Sequence, residues 1–329
     1  MIFVDNENHY DPRINLAIEE HLVRNVNLGS DILLFYINGP SIIIGRNQNT
    51  IEEINFPYVE EHQIIVVRRL SGGGAVYHDK GNLNFSFINA NGKEFLHNFK
   101  KFTAPVVKVL NEMAVPAEMN GRNDIVVEER KISGNAQYAI GTKLVSHGTL
   151  LFNSDLSMVS EALNVKTEKI ESKGIKSVRS RVANISEYMN EPMDILTFRE
   201  RVKEGILSEA NNGEYKLTQQ DWEEINKISR ERYQQWEWNF GRSPKFNIQK
   251  TQRFPFGQID ARIEVHNGVI QQIKLFGDFL GLRNVGDVEE KLKGVRYDKL
   301  HLQEALDNIE LKDYLGGLNA LELATFLFA

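Results

Sequence analysis

Three consecutive glycines, Gly72 to Gly74, follow two arginines and precede a short segment that ends at His78. Consecutive glycines let backbone N–H groups approach an anion closely, because no Cβ atoms stand in the way. The planar guanidinium of Arg69 adds a charged donor suited to phosphate or carboxylate. The alternative is a tight hairpin turn after two solvated arginines, and the glycines alone do not decide between the two. The loop lacks the Gly-Lys-Ser/Thr ending of a Walker loop, so a P-loop is excluded.

A second cluster combines amide, carboxylate and ammonium groups. Asn123 and Asp124 open a predicted strand, and Lys131 follows on a predicted hairpin. Magnesium favours one or two carboxylates beside phosphate oxygens, so Asp124 is a candidate ligand for a nucleotide-bound Mg²⁺. Small residues after Lys131 leave room for a ligand near its ammonium. In isolation, a turn residue and a solvent-facing lysine are the simpler interpretations of these two positions.

Two further features are weaker. His147 and Gly148 lie near the start of a predicted strand, where a lone histidine is more often structural and the glycine would let a ligand chain pass over the backbone. The segment 166–181 carries six lysines and arginines against two glutamates. Such runs are usually solvated loops, although this one could also cover a nucleotide or meet an acidic partner.

Helical spacing and short β-branched runs predict the elements that position these clusters. Strands are predicted at 32–37, 41–44, 64–67, 82–88, 124–128 and 145–153, with a hairpin of 261–265 and 269–275. Helices are predicted from Asp11-Pro12 onward, at 99–113, over most of 193–238, and at 288–293 and 300–307. Glycine and proline at 241–244 mark a domain boundary. The prediction is an α+β catalytic domain over residues 1–243 and a small α+β accessory domain over 244–329.

Composition excludes several classes of function. The 329 residues are 41% hydrophobic and 26% charged, as in an ordinary globular protein, and the net charge is −6. The acidic balance gives no general attraction to nucleic acid or anionic membranes, so neither is an expected partner. The absence of cysteine excludes disulfides, thiolate metal sites and thiol nucleophiles. No signal peptide or transmembrane segment is visible, so a cytoplasmic location is expected.

Taken together, the clusters resemble the lipoate–protein ligase A family. The resembling stretches occur in the family's order: Arg68 to His78 with 82–86, GRNDIVV, KISGNAQ, HGTLLFN and KGIKSVRSRVANISE, with DPRINLAIEE and WEWNFGRSPKF toward the two ends. Each motif is weak, but the ordered set is specific and extends over nearly the whole chain. The resemblance implies the biotin/lipoate ligase fold, a mixed β-sheet with packed helices, plus a small C-terminal accessory domain.

The resemblance also implies a two-step reaction. Lipoate and MgATP form lipoyl-AMP and pyrophosphate, and a lysine of a carrier protein then displaces AMP. The implied carriers are the glycine cleavage H protein and the E2 lipoyl domains of 2-oxoacid dehydrogenases, in a pathway that scavenges lipoate. This chemistry needs charge stabilisation and positioning, with no enzyme nucleophile, which suits a chain without cysteine.

By the family's pattern, Lys131 is the catalytic residue, placed between the lipoyl carbonyl and the α-phosphate, and Asp124 is a candidate magnesium ligand. The implied contacts of ATP and the adenylate are Arg69, Gly73, Gly74, Ala75, Val76, Tyr77, Asn123, Lys131, Lys173 and Arg179. The implied contacts of lipoate are Arg69, Leu70, Ser71, Gly72, Lys131, His147 and Gly148. Leu70, Asn135 and Ser146 depart from the pattern, but none of them removes a charge that the chemistry needs.

Two alternatives come from different classes, a transferase that shares the scaffold and a non-catalytic binding module. Octanoyl and lipoyl transferases of this fold work through a cysteine thioester, which this chain cannot form. A non-catalytic lipoate- or carrier-binding module would keep an apolar slot but could lose Lys131. The presence of Lys131, Arg69 and Asp124 together favours an enzyme.

Overall fold

The computed structural model describes residues 1–121, 123–163, 181–208, 213–240, 248–266 and 268–328. The strands are β1 (Ile2–Asp5), β2 (Ile32–Ile37), β3 (Ser41–Ile44), β4 (Ile65–Arg68), β5 (Val76–His78), β6 (Asn82–Asn89), β7 (Glu118–Asn120), β8 (Asp124–Val127), β9 (Arg130–Ile140), β10 (Lys143–Leu151), β11 (Gly213–Tyr215), β12 (Ile248–Phe254), β13 (Gly257–His266) and β14 (Val269–Gly277).

The α-helices are α1 (Pro12–Asn25), α2 (Thr50–Glu53), α3 (Phe56–Glu61), α4 (Phe99–Glu112), α5 (Leu156–Ala162), α6 (Ile195–Leu207), α7 (Gln219–Ile228), α8 (Trp236–Asn239), α9 (Gly286–Leu292), α10 (Lys299–Leu306), α11 (Lys312–Leu315) and α12 (Ala320–Phe328). Short 3-10 turns cover Lys93–Phe95 and Ile185–Tyr188, and a π-helical turn covers Ser229–Tyr233. None of the described helices combines the length and apolar character that a membrane crossing requires.

The largest sheet in the described part of the chain is mixed and has eight strands, in the order β11-β1-β2-β6-β10-β9-β8-β7. At its centre β10 pairs antiparallel with β6 on one side and β9 on the other. The register sets His147 opposite Ala136 and Gly148 opposite Asn135. It therefore places the segment after Lys131 beside the segment around His147.

A second sheet has three strands, in the order β4-β3-β5. Strand β3 runs parallel to β4 and antiparallel to β5, with Ile44 opposite Arg68 and Ile43 opposite Val76. The glycine-rich loop leaves this sheet at Arg68 and re-enters it at Val76. Both ends of the loop are therefore fixed by strand pairing to the same neighbour.

Each face of the large sheet is covered by helices. On one face, aromatic residues such as Phe85 and Phe87 pack with residues of α4 and α6, among them Phe102 and Phe198. On the other face, Ile18 and residues near it on α1 pack against β2, β4 and α7. Asp11 caps α1 by accepting a hydrogen bond from the backbone of Arg13, and Pro12 occupies the first turn, as the sequence predicts.

The C-terminal strands and helices build a separate hydrophobic core from β13, β14 and α9 to α12, with members such as Ile263, Leu275 and Leu302. This part contacts the glycine-rich loop. The backbone N–H of Gly277 donates to the carbonyl of Asn47 at 2.7 Å. A Cβ at Gly72 would lie only 2.4 Å from the carbonyl oxygen of Phe279, so glycine is needed for the close approach.

Several predicted elements are confirmed, including β2 and β3 at both ends, and the hairpin of β13 and β14. The mostly helical prediction for 193–238 is interrupted by β11, which pairs parallel with β1 at the edge of the sheet. The predicted hairpin before Lys131 is present as β8 and β9, turning at Glu128 and Glu129, which both have positive φ. The predicted domain boundary at 243/244 falls outside the described residues and stays a prediction.

Candidate active site

A cavity of about 150 Å³ is lined by residues from both sheets and from α1. Nine of the residues predicted to bind ligand lie on its wall: Arg69, Gly73, Gly74, Ala75, Val76, Asn123, Lys131, His147 and Gly148. The lining also includes the largely apolar side chains of Leu16, Tyr36 and Ile43. The structure therefore brings together the segments that were predicted to share one site. Which of these residues contact lipoate and which contact ATP stays a prediction.

Four predicted ligand contacts do not line this cavity. Leu70 and Ser71 are buried, Gly72 faces the C-terminal segment, and Tyr77 packs in the core beneath β5. Lys173 and Arg179 lie outside the described residues. These six positions stay predictions as ligand contacts.

Lys131 is held at the cavity by a hairpin with an irregular register. A register shift in β8 sets Asp124 opposite Gly134 and Val126 opposite Lys131. The ammonium of Lys131 lies 2.7 Å from Oδ1 of Asp124, and both side chains are a little over one third exposed. A Cβ at Gly134 would lie 2.9 Å from this ammonium, so the glycine leaves space for the lysine chain. The arrangement keeps a cation at the cavity edge without burying it.

The two arginines before the glycines are not solvated, so that interpretation is wrong. Arg68 is 1% exposed and Arg69 is 7% exposed. Arg68 donates to the carbonyls of Gly45, Gln48 and Trp238, among others. Arg68 therefore ties the start of the loop to distant parts of the chain.

Arg69 organises the glycine-rich loop from inside. Its guanidinium donates to Oγ of Ser71 at 2.9 Å and to the carbonyls of Ile43, Gly72 and Gly74 at 2.6 to 3.0 Å. Burial lowers the pKa of Arg69 to about 10, against the opposing influence of Tyr36 and Glu19, so the side chain remains cationic at neutral pH. Its predicted ligand contacts stay predictions, but its charge lies at the cavity wall.

His147 has partners on both ring nitrogens. Nδ1 lies 3.0 Å from both carboxylate oxygens of Glu19, and Nε2 lies 2.7 Å from Oγ of Ser71. The next residue, Gly148, is required by close packing, since a Cβ there would lie 2.1 Å from Oδ1 of Asn135 and 2.5 Å from the ring of Phe85. The role of Glu19 was missed by sequence reasoning. Its signal is a carboxylate directly after the apolar residues Leu16, Ala17 and Ile18 in the helical segment LAIEEHL.

His78 is a second group that sequence reasoning did not place in the site. Its Nδ1 accepts a hydrogen bond from the side-chain amide of Asn38 at 3.0 Å. Nε2 is buried without a partner among the described residues, and the side chain lines the cavity. Burial, together with the positive charge of Arg69, lowers the pKa of His78 to about 3. The neutral ring therefore carries an N–H donor that is available to a ligand.

The buried neutral His78 predicts a loss of stability in acid. The unfolded chain takes up this proton near pH 6.5, whereas the folded chain takes it up only near pH 3. Between pH 7 and pH 5 the unfolded state is therefore favoured by about 2 kcal/mol through this group. The variant His78→Gln should lose correspondingly less free energy of unfolding over that interval. Urea unfolding at both pH values measures the difference, and equal losses for the two proteins would contradict it.

Comparison with known proteins identifies the family. The profile of the lipoyl protein ligase A/B catalytic domain matches residues 11–207. The chain belongs to the lipoate–protein ligase family. The profile of the bacterial lipoate protein ligase C-terminus matches residues 243–327.

Individual relatives agree with this family. Lipoate-protein ligase LplJ of Bacillus subtilis is 54% identical over 331 residues, which cover 100% of both chains. The predicted assignment as a lipoate–protein ligase enzyme is therefore confirmed.

Solved structures of lipoate ligases share the fold. The crystal structure of P. falciparum LipL1 in complex with lipoate superposes with a TM-score of 0.80 at 26% identity, covering 99% of each chain. The crystal structure of lipoate-protein ligase A bound with ATP gives a TM-score of 0.61 at 28% identity, covering 73% of this chain and 97% of that one. The predicted fold class, a mixed sheet with packed helices and a small C-terminal part, is confirmed.

Proposed function

We propose that this ligase activates free lipoate with ATP to lipoyl-AMP and transfers the lipoyl group to a lysine of a carrier protein. One observation carries the proposal. The Lys131 ammonium, the glycine-rich loop and the His147-Gly148 segment line the same cavity. The lipoate complex of LipL1 and the ATP complex of lipoate-protein ligase A support both substrates.

In the first step, a carboxylate oxygen of lipoate forms a bond to the α-phosphorus of ATP, and the bond from that phosphorus to the bridging oxygen breaks. Pyrophosphate leaves with the electron pair. Negative charge has to be balanced at both reacting centres, because a carboxylate approaches a phosphate. Lys131 supplies the balancing cation, and the backbone N–H groups of Gly73 to Val76 supply fixed dipoles.

In the second step, the amine of the carrier lysine attacks the lipoyl carbonyl, and the carbon–oxygen bond to AMP breaks. An amide forms, AMP leaves with the electron pair, and the attacking nitrogen loses a proton. Lys131 stabilises the negative charge that develops on the carbonyl oxygen and on the departing phosphate. Its one-third exposure gives the ammonium access to both groups without a large desolvation cost.

Magnesium fits this site as a companion of ATP. The described residues contain no cluster of three or more His, Cys, Asp or Glu side chains, so they offer no preformed metal cage. Asp124 does not line the cavity itself, but its carboxylate lies 2.7 Å from the Lys131 ammonium, which does. Magnesium commonly uses one or two carboxylates together with phosphate oxygens. Asp124 would hold the ion, which would neutralise phosphate charge when bound.

The carriers that we propose are the glycine cleavage H protein and E2 lipoyl domains, each modified in the cytoplasm on one lysine. The ligase would use free lipoate and so serve lipoate scavenging. A panel of purified apo carriers, incubated with lipoate, ATP and the enzyme, tests this part. Intact mass spectrometry should show a gain of one lipoyl group on at least one of the two carrier classes, whereas no gain on either class would contradict it.

Lipoate-dependent exchange of labelled pyrophosphate into ATP tests the first step in the absence of any carrier. The purified enzyme should catalyse the exchange only when lipoate and magnesium are both present, because the reverse of adenylation regenerates ATP from lipoyl-AMP. Reactions that lack lipoate or magnesium serve as controls. Lipoylation of a carrier without any exchange would contradict the adenylate route.

A further inference from the structure

Four buried side chains form a continuous hydrogen-bonded chain between helix α1 and the glycine-rich loop. The carboxylate of Glu19 contacts Nδ1 of His147 at 3.0 Å, and Nε2 of His147 lies 2.7 Å from Oγ of Ser71. The same Oγ accepts from Nε of Arg69 at 2.9 Å. The exposed fractions of the four residues lie between 0% and 7%. Water therefore has little access to the chain, and each polar atom depends on its protein partner.

The charge on Glu19 fixes the direction of every hydrogen bond in the chain. Burial alone would raise the pKa of the Glu19 carboxyl, but its interaction with the His147 ring and the hydrogen bond from Tyr138 outweigh burial and lower the pKa below its ordinary value. An ionised carboxylate only accepts hydrogen bonds, so Nδ1 of His147 must donate. When the ring is neutral, Nε2 is then the acceptor of a hydrogen bond that the Ser71 hydroxyl donates.

This direction leaves a lone pair of Ser71 free for Arg69. Arg69 in turn donates to the carbonyls of Gly72 and Gly74, so it determines how the glycine-rich loop is shaped. In the opposite tautomer of His147, an N–H group would face Ser71 and the buried hydroxyl proton would lose its acceptor. A buried donor without a partner is unfavourable, and a shift of the loop would relieve it.

We propose that Glu19 is a positioning residue of this ligase, which holds His147 in the Nδ1–H tautomer and, through Ser71, fixes Arg69 and the glycine-rich loop. The consequence for activity rests on the proposed function, in which this loop binds the reacting carboxylate and phosphate. Glu19 itself does not border the cavity, whereas His147 and Arg69 do. Glu19 therefore acts through its neighbours.

The same geometry resembles the Ser-His-acid triads of acyl transferases, in which the serine is a nucleophile. Two observations favour positioning instead. Ser71 is 0% exposed and does not line the cavity, so a substrate carbonyl cannot reach its Oγ. Its Oγ also accepts a hydrogen bond from the cationic Arg69, which makes the oxygen a poorer nucleophile. A serine-directed fluorophosphonate should accordingly leave Ser71 unlabelled, and labelling at Ser71 would overturn the proposal.

The tautomer of His147 can be read directly from the wild-type protein. Two-dimensional NMR on protein labelled with ¹⁵N-histidine distinguishes Nδ1–H from Nε2–H rings, and the variant His147→Gln assigns the signal. We expect the Nδ1–H form in the wild-type protein and a shift toward the Nε2–H form in Glu19→Gln. A wild-type ring in the Nε2–H form would overturn the proposal without the need for any further variant.

Kinetics then separate positioning from general structural support. Glu19→Gln and Ser71→Ala should each lower kcat/KM for lipoate in pyrophosphate exchange by about tenfold, as is typical when a partner that orients a site residue is lost. Both substitutions break the same chain of hydrogen bonds. The kcat/KM of the double variant should therefore be no more than about twofold below that of the less active single variant. Losses that multiply, or an unchanged kcat/KM in Glu19→Gln, would overturn the proposal.

Glu20 offers a matched control on the same helix. It is 2% exposed like Glu19, but it pairs with Arg24, Arg232 and Tyr233 instead of the loop. Glu20→Gln should lower the thermal unfolding midpoint while it leaves the His147 tautomer unchanged and exchange within about twofold of wild type. An equal effect of the two glutamine variants on exchange would overturn the proposal. A wild-type enzyme without exchange would instead count against the proposed function, and the NMR result would still test Glu19.

Discussion

Replacement of Lys131 by alanine is expected to lower lipoate-dependent pyrophosphate exchange by about 10³-fold, because one fixed donor at a reacting centre contributes roughly 10²- to 10³-fold and this ammonium faces both centres in the proposed reaction. The fold should survive, since the side chain is more than one third exposed and lies on the cavity wall. The carboxylate that it leaves behind, Asp124, is similarly exposed and can be hydrated. Initial rates of exchange at saturating ATP, together with the thermal unfolding midpoint, measure both expectations.

The matched control is the exposed Lys216, whose replacement by alanine removes the same charge away from the cavity. Lys216→Ala should retain exchange within about twofold of wild type, since surface substitutions away from a site have small effects. Lys131→Arg keeps the charge but replaces a compact ammonium with a larger, planar guanidinium, so it should retain only part of the wild-type activity. Near-normal exchange in folded Lys131→Ala would show that Lys131 takes no part in the reaction. Another group would then have to balance the negative charge at the reacting centres.

The elements that hold the site were largely predictable because their signals are local. Strand β3 is a run of β-branched residues between turn residues, and the start of α1 is encoded by Asp11 and Pro12. The ordered motifs also predicted that Lys131 and His147 would share a site. The sheet register explains why, since β9 and β10 are neighbours in the sequence as well as in the sheet.

The burial of the two arginines was not predictable, because their partners are remote in sequence. Arg68 is satisfied in part by carbonyls of Trp238 and Asn239, some 170 positions away. The sequence near Arg68 does not indicate that these carbonyls will accept its hydrogen bonds. The sequence pattern alone therefore made solvated arginines the simpler interpretation.

Glu19 and His78 were missed for a similar reason. A buried carboxylate is stable only where donors converge on it, and its donor His147 is 128 positions away. The neutral state of His78 follows from burial and from the positive charge of Arg69, both of which depend on tertiary packing. Residue type gives the chemistry that such groups could perform, whereas the assembled fold decides which protons they carry.

Replacement of Gly45 by alanine should displace the glycine-rich loop and lower kcat/KM for lipoate in pyrophosphate exchange by about 10²-fold. A Cβ at Gly45 would lie 1.9 Å from the carbonyl oxygen of Gly73, whereas a Cβ atom in ordinary van der Waals contact lies at least 3.4 Å from its neighbour. Gly45 cannot easily retreat, because its N–H donates to Gln48 and its carbonyl accepts from the buried Arg68. The loop has to move by more than 1 Å, and a misplacement of about that size can cost roughly 10²-fold in rate.

Gly39 supplies the control for the same chemical change, because a Cβ there would meet its nearest neighbour, the carbonyl oxygen of Tyr10, at an ordinary 3.6 Å. Gly39→Ala should therefore keep exchange within about twofold of wild type, although it adds the same methyl group to a turn close to β3. If Gly45→Ala and Gly39→Ala exchange pyrophosphate equally well, the position of the Gly73 carbonyl does not matter to adenylation. The glycine-rich loop would then be a turn between β4 and β5 and not the cradle of the reacting phosphate, because a cradle built from backbone groups cannot tolerate a displacement that a turn absorbs.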